Sequence, residues 1–114
     1  VPLRAYIIPT ARPHQEPLVG YLGDASTHLL EVTLQDRKVL GLPLGCRDLG
    51  RIEAAFHETC GDDVVLGLAD GDQRLWSGRA RLSAVDVTAQ ATEGFTLTFA
   101  LDRPMRPGEV PALV

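Results

Sequence analysis

Apolar residues recur at every second position through Trp76, Gly78, Ala80, Leu82 and Ala84, and again through Phe95, Leu97, Phe99 and Leu101. Alternation of this kind belongs to half-buried strands, whose side chains point to opposite faces in turn. The stretch between the two runs, residues 86–94, contains Gln90, Thr92, Glu93 and Gly94. A polar turn region of that composition makes the pair a long antiparallel hairpin.

The same period appears elsewhere. Leu3, Ala5, Tyr6, Ile7 and Ile8 predict a first strand within residues 1–10, stopped by Pro9 and a loop over residues 11–17, where Pro13 and Pro17 forbid a central strand. Leu18 to Leu22 reads as a short second strand or an ordered arm, followed by a turn at residues 23–26. Leu30, Val32 and Leu34 then face one way, and Leu40, Leu42 and Leu44 repeat the pattern after the turn Gln35-Asp36-Arg37, so residues 27–34 and 38–44 read as a second hairpin. Val64, Leu66 and Leu68 mark another strand, and Asp70-Gly71-Asp72 is a hairpin turn leading into the Trp76 strand.

One segment has a different period. Leu49, Ile52, Ala55, Phe56 and Thr59 form a stripe at helical spacing, with Asp48 as a natural N-cap and Gly61 as the stop. One helix cannot cover a sheet of about six or seven strands, so the strands must close on themselves or stack. The predicted fold is therefore α+β and strand-dominated: a small antiparallel β-barrel or β-sandwich with one helix over residues 48–60. The 114 residues make one domain on ordinary size grounds. Its Pro-containing segments at residues 1–17 and 103–114 read as arms too polar or broken to enter the core.

Composition narrows the functional classes. A formal charge of −4 with no dense Lys/Arg run argues against nucleic-acid binding, which needs a basic surface. No apolar run reaches the roughly 18 residues of a membrane-spanning helix, and no secretory leader pattern opens the chain, so the reading is a cytoplasmic protein with no membrane partner. Val1 is compatible both with a mature polypeptide and with an excised domain. Cys46 and Cys60 flank the helix; about twelve helical residues would separate them by roughly 18–20 Å, against the ~7 Å that a disulfide allows, so both are expected reduced.

Candidate chemistry is thin. His57 and Cys60 share the last helical turn but bring neither the elbow motif of a nucleophilic serine nor the C-x-x-C of structural zinc. Asp70 and Asp72 do not continue into a calcium loop, and the glycines are scattered instead of gathered into a phosphate cradle. The expectation is a non-enzyme with no catalytic residue, metal or cofactor. Arg74, Arg79 and Arg81 beside Trp76 are the more useful feature, because arginine and aromatic anchors favour protein contacts.

The run Trp76-Ser77-Gly78-Arg79-Ala80-Arg81-Leu82, then a polar connection and Gly94-Phe95-Thr96-Leu97-Thr98-Phe99, resembles the late strands of phage tail tube proteins and related virion proteins. The resemblance covers residues 74–101. It implies a β-sandwich or barrel with one flanking helix, stacked into rings through sheet edges, loops and terminal arms. The expected function is a structural subunit that binds protein partners, chiefly copies of itself, in a virion-like or other supramolecular assembly. Arg12, Trp76, Arg79, Arg81 and Arg106 are the expected interface residues. Two alternatives are a small barrel holding a ligand in a mouth lined by Tyr6, Tyr21, Trp76 and Phe95, and an accessory domain of a larger enzyme.

Overall fold

The computed structural model describes residues 3–43, 45–87, 94–106 and 109. Its strands are β1 (Arg4–Pro9), β2 (Leu18–Ala25), β3 (Leu29–Leu34), β4 (Asp63–Asp70), β5 (Gln73–Asp86) and β6 (Phe95–Leu101), with helix α1 (Leu49–Cys60) between β3 and β4. They form a closed antiparallel barrel in the order β1-β2-β3-β6-β5-β4. Two three-stranded meanders are thus joined along two seams, β3 with β6 and β1 with β4. The predicted class is correct, and of its two architectures the barrel is the one formed.

The period-two pattern fills the barrel. Ala5 and Ile7 of β1, Val32 and Leu30 of β3, Leu66 and Leu68 of β4, and Leu97 and Phe99 of β6 are all fully buried. Cross-strand partners share a face, so Ile7 meets Leu66, Leu68 meets Trp76 and Leu30 meets Phe99 inside the lumen. Gly20 is needed where β2 runs closest to β3: a Cβ there would sit 2.5 Å from the Thr33 carbonyl oxygen. Gly78 serves a different purpose, since the Trp76 indole lies across the position its Cβ would occupy, at 2.7 Å.

Each end of the barrel is closed by a different device. α1 starts at Asp48, whose side chain accepts a hydrogen bond from the Arg51 N–H, and stops at Gly61 with φ 81°. It buries Ile52, Phe56 and Cys60, with the Phe56 ring edge-on to Phe99 at 5.7 Å. The buried stripe therefore lies one position later than the sequence predicts at its C-terminal end, and Leu49 is exposed. At the opposite end the chain after β6 folds back: the Met105 N–H donates to the Thr27 carbonyl and its side chain is fully buried. Arg103 lies over the Trp76 ring at 5.2 Å and donates to the Ser77 carbonyl at 3.1 Å.

The structure departs from three expectations. No return strand forms among the described residues 38–43; Asp36 accepts from the Lys38 N–H at 2.8 Å and starts a 3-10 turn, η1 (Arg37–Leu40), which Gly41 ends in the left-handed region. Leu40 and Leu42 are buried all the same, because a single turn of helix can bring them to the core that an alternating strand would reach; Leu44 lies outside the described residues. Secondly, β5 carries a bulge between Leu82 and Ala84, so Ala84 is exposed opposite Thr98 and Val85 turns toward the core opposite Leu97. One inserted residue reverses the face of all that follow it. Thirdly, the described parts of the terminal segments enter the core: β1 lies within residues 1–17 and contributes Ala5 and Ile7, and Met105 does the same after β6, while residues 1–2, 107–108 and 110–114 lie outside the described residues.

A buried glycine of β2 and a wall-facing glycine of β4 give a paired test of the packing. Gly20→Ala forces a methyl against backbone and is expected to cost about 1–3 kcal/mol. Gly67→Ala, whose nearest neighbour would be the Tyr6 Cβ at 4.0 Å, stays within about 0.5 kcal/mol of the parent in urea denaturation. Equal costs at the two positions would contradict the register described for β2 and β3.

Candidate functional site

The outward residues of β1, β2, β4 and β5 form the part of the surface with the most varied chemistry. Register sets their neighbours: Tyr6 lies opposite Val19 on one side and Gly67 on the other, Arg4 lies opposite Tyr21 and Ala69, and Ile8 lies opposite Val65. Val65 in turn faces Arg79, Gly67 faces Ser77 and Ala69 faces Arg74. A wall forms in which apolar and aromatic residues alternate with guanidinium groups.

Two depressions lie side by side on this wall and share Tyr6, Gly71 and Asp72. One is a groove of about 300 Å3 between β1 and β5, bounded by Tyr6, Ile8, Pro17, Val65, Arg74 and Ser77. Its floor exists because residue 67 is glycine; a Cβ there would meet nothing closer than 4.0 Å. The other is a broader, more open hollow of about 720 Å3 lined by Arg4, Tyr6, Tyr21, Gln35, Asp70, Gly71 and Asp72. The two aspartates flank Gly71, whose φ of 59° occupies the first central position of the two-residue turn joining Asp70 to Gln73. A type II′ hairpin places glycine there.

The expected interface residues are dispersed over the fold. Trp76 is 4% exposed and belongs to the lumen, so it cannot anchor a partner. Alternation with Ala80 and Leu82 already placed it on the inner face. Arg81 is outward but committed: its Nε donates to Asp63 Oδ1 at 2.8 Å across the β4–β5 pair, and that bond and charge raise the guanidinium pKa further. Arg12 ties the β1–β2 loop to the end of α1 by donating to the Glu58 carbonyl at 3.2 Å. The Arg106 N–H donates to Glu109 Oε1 at 3.0 Å beyond the barrel rim, and this bond, with Arg103, holds the Glu109 carboxyl below its usual range. Arg79 alone of the five stands on the wall, beside Val65, with no ion pair among the described residues.

The alternative ligand mouth is corrected as well. Trp76 and Phe95 are buried within the packed lumen, whereas Tyr6 and Tyr21 lie together on the outer wall. The sequence signal that could have found the hollow is the conjunction of outward Arg4 and Tyr6 with outward Tyr21, but their adjacency depends on strand register.

Around the helix terminus, His57 Nδ1 lies 3.3 Å from Asp62 and its Nε2 lies 3.9 Å from Glu53. Cys60 faces the core, and burial raises its thiol pKa to about 11. Both cysteines are free. Among the described residues no group of three or more His, Cys, Asp or Glu side chains is placed to hold a metal ion, and no helix is long and apolar enough to cross a membrane.

The two thiols should separate cleanly in alkylation at pH 8. Cys46, half-buried, is expected to react in the native protein, and Cys60 only after unfolding, because its thiolate fraction is roughly one in a thousand and the sulfur is enclosed. Since the folded pKa exceeds the unfolded one, Cys60 favours folding fully below about pH 9 and ceases to as pH rises through 11. Two thiols labelled at equal rates in the native state would contradict the placement of α1. Neither family models, nor curated protein sequences, nor solved structures give a match to this chain.

Proposed function

We propose that this chain is a non-enzymatic subunit that associates with copies of itself in a larger assembly. The observation that carries the reading is the groove over Gly67, a largely apolar channel on an outer wall with arginine at its margins and Asp72 at one end. Its sides are Tyr6, Ile8 and Val65, and Arg74 and Arg79 stand at its edge with no ion pair among the described residues. Protein contacts favour an apolar centre with arginine and aromatic anchors, because guanidinium groups stack and pair while giving up little hydration. The groove also runs along fixed strands, so a partner side chain would enter a preformed site.

The lumen argues in the same direction. Ile7, Leu30, Leu66, Leu68, Leu97 and Phe99 fill it, so interactions with other molecules fall to the exterior. The likeness of residues 74–101 to phage tail tube proteins supplies the class of assembly, a virion or tail-like array. Contacts by extended segments narrow to the loop at residues 10–17 and to the chain beyond Met105, since β1 and Met105 belong to the barrel itself.

Light scattering at rising protein concentration tests this. A species heavier than the 12.3 kDa chain is expected, and Gly67→Val, which fills the groove, or Arg79→Glu, which reverses its edge charge, is expected to weaken association at least tenfold without loss of the fold. A monomer at every concentration, or an oligomer indifferent to both substitutions, would refute the proposal.

A further inference from the structure

We infer that the hollow beside the groove, spanned by Arg4, Tyr21, Gln35 and the Asp70–Asp72 turn, is a binding site for neutral oligosaccharides. The inference goes beyond self-association and rests chiefly on Arg4, Tyr21, Gln35 and Asp70, which the groove does not share; Tyr6, Gly71 and Asp72 border both.

The first ground is the match of donors and acceptors. A guanidinium donates, two carboxylates accept, and a carboxamide does both. Arg4, Gln35, Asp70 and Asp72 are all exposed, and none of them makes a side-chain hydrogen bond or ion pair among the described residues. Their bonding capacity is therefore available to a ligand. Vicinal hydroxyl groups, each able to donate and to accept, can use all four at once, whereas a simple anion or cation can use only part of them. The local formal charge, one arginine against two aspartates, disfavours phosphate and carboxylate ligands.

Two tyrosine rings supply the second ground. Tyr21 lies directly opposite Arg4, and Tyr6 follows two residues along β1, so the rings are diagonal neighbours, about 7–8 Å apart between backbones. Both are half-buried, with one side held by the wall. The C–H face of a pyranose is apolar and carries partial positive charge, which suits the negative face of an aromatic ring. A protein partner fits less well, because aspartate is depleted at protein interfaces.

Rigidity and size complete the case. Arg4, Tyr6 and Tyr21 stand on paired barrel strands, and Gly71 fixes the turn that sets the two carboxylates on either side of it. The hollow, about 720 Å3 and open, lies within the ~300–1,000 Å3 range of small-molecule sites. Its openness suits a chain of sugars that continues past both ends.

The test is a titration of the full chain with maltotetraose, cellotetraose and chitotetraose, each to about 10 mM, followed by calorimetry and by amide chemical shifts. At least one is expected to bind with a Kd of about 1 mM or tighter, shifting residues of β1, β2 and the Asp70–Asp72 turn. Tyr21→Ala and Gln35→Ala are each expected to weaken it by about tenfold, and Tyr21→Phe to retain most of it. Gln35 is an exposed loop residue, so its variant keeps the test valid if Tyr21→Ala fails to fold. Arg79→Glu should leave the affinity within about twofold, because Arg79 faces Val65 at the groove and is not part of the hollow. Absence of binding by all three sugars, or binding indifferent to Tyr21→Ala and Gln35→Ala, would overturn the inference. So would equal loss in Arg79→Glu, which would place the sugar at the groove. Self-association can survive any of these results, because light scattering reads it separately.

Discussion

Pairing of β1 with β4 is the constraint on which the rest of the structure depends. Six registered pairs, from Arg4 with Ala69 to Pro9 with Val64, join strands far apart in sequence and turn two three-stranded meanders into a closed barrel. Without that seam Ala5, Ile7, Leu66 and Leu68 would face water, and both depressions on the outer wall would lose one side. Closure also removes two sheet edges, which would otherwise present unpaired backbone groups to other chains. Recognition by strand addition is thereby disfavoured along this seam.

The wall's chemistry follows from the same alternation that builds the core. A strand that sends Ala5 and Ile7 inward must send Arg4, Tyr6 and Ile8 outward, and β4 with Leu66 and Leu68 inside must show Val65 and Gly67 outside; Ala69, at the register shift, is buried. Small residues on β4 make the depression, and larger ones on β1 and β5 bound it. The groove and the hollow are thus the outer side of the barrel's packing, which gives both a rigid base.

Much of the architecture was legible in the sequence because it rests on local signals. Asp48 and Gly61 marked the ends of α1 through capping and a left-handed stop, and period-two burial identified the strands. Local reasoning failed where a side chain competed with the pattern. Asp36 captured the Lys38 N–H and made η1 where alternation read a strand, and the bulge at Leu82–Ala84 reversed the faces of Ala84 and Val85. The site was less legible still. Trp76 belonged inside on its own periodicity, Arg81 was drawn off by Asp63, and the meeting of Tyr6, Tyr21 and Asp72 required non-local register that no single segment encodes.

The most direct test of this account is the β1–β4 seam itself, read by nuclear Overhauser contacts and amide exchange in solution. Close backbone contacts between Ala5 and Leu68 and between Ile7 and Leu66, with β1 and β4 amides exchanging as slowly as those of β6, are the predicted result. Missing contacts across that seam, or β1 amides that exchange as fast as the loop at residues 10–17, would show an open sheet and contradict the barrel and the two depressions that lie on it.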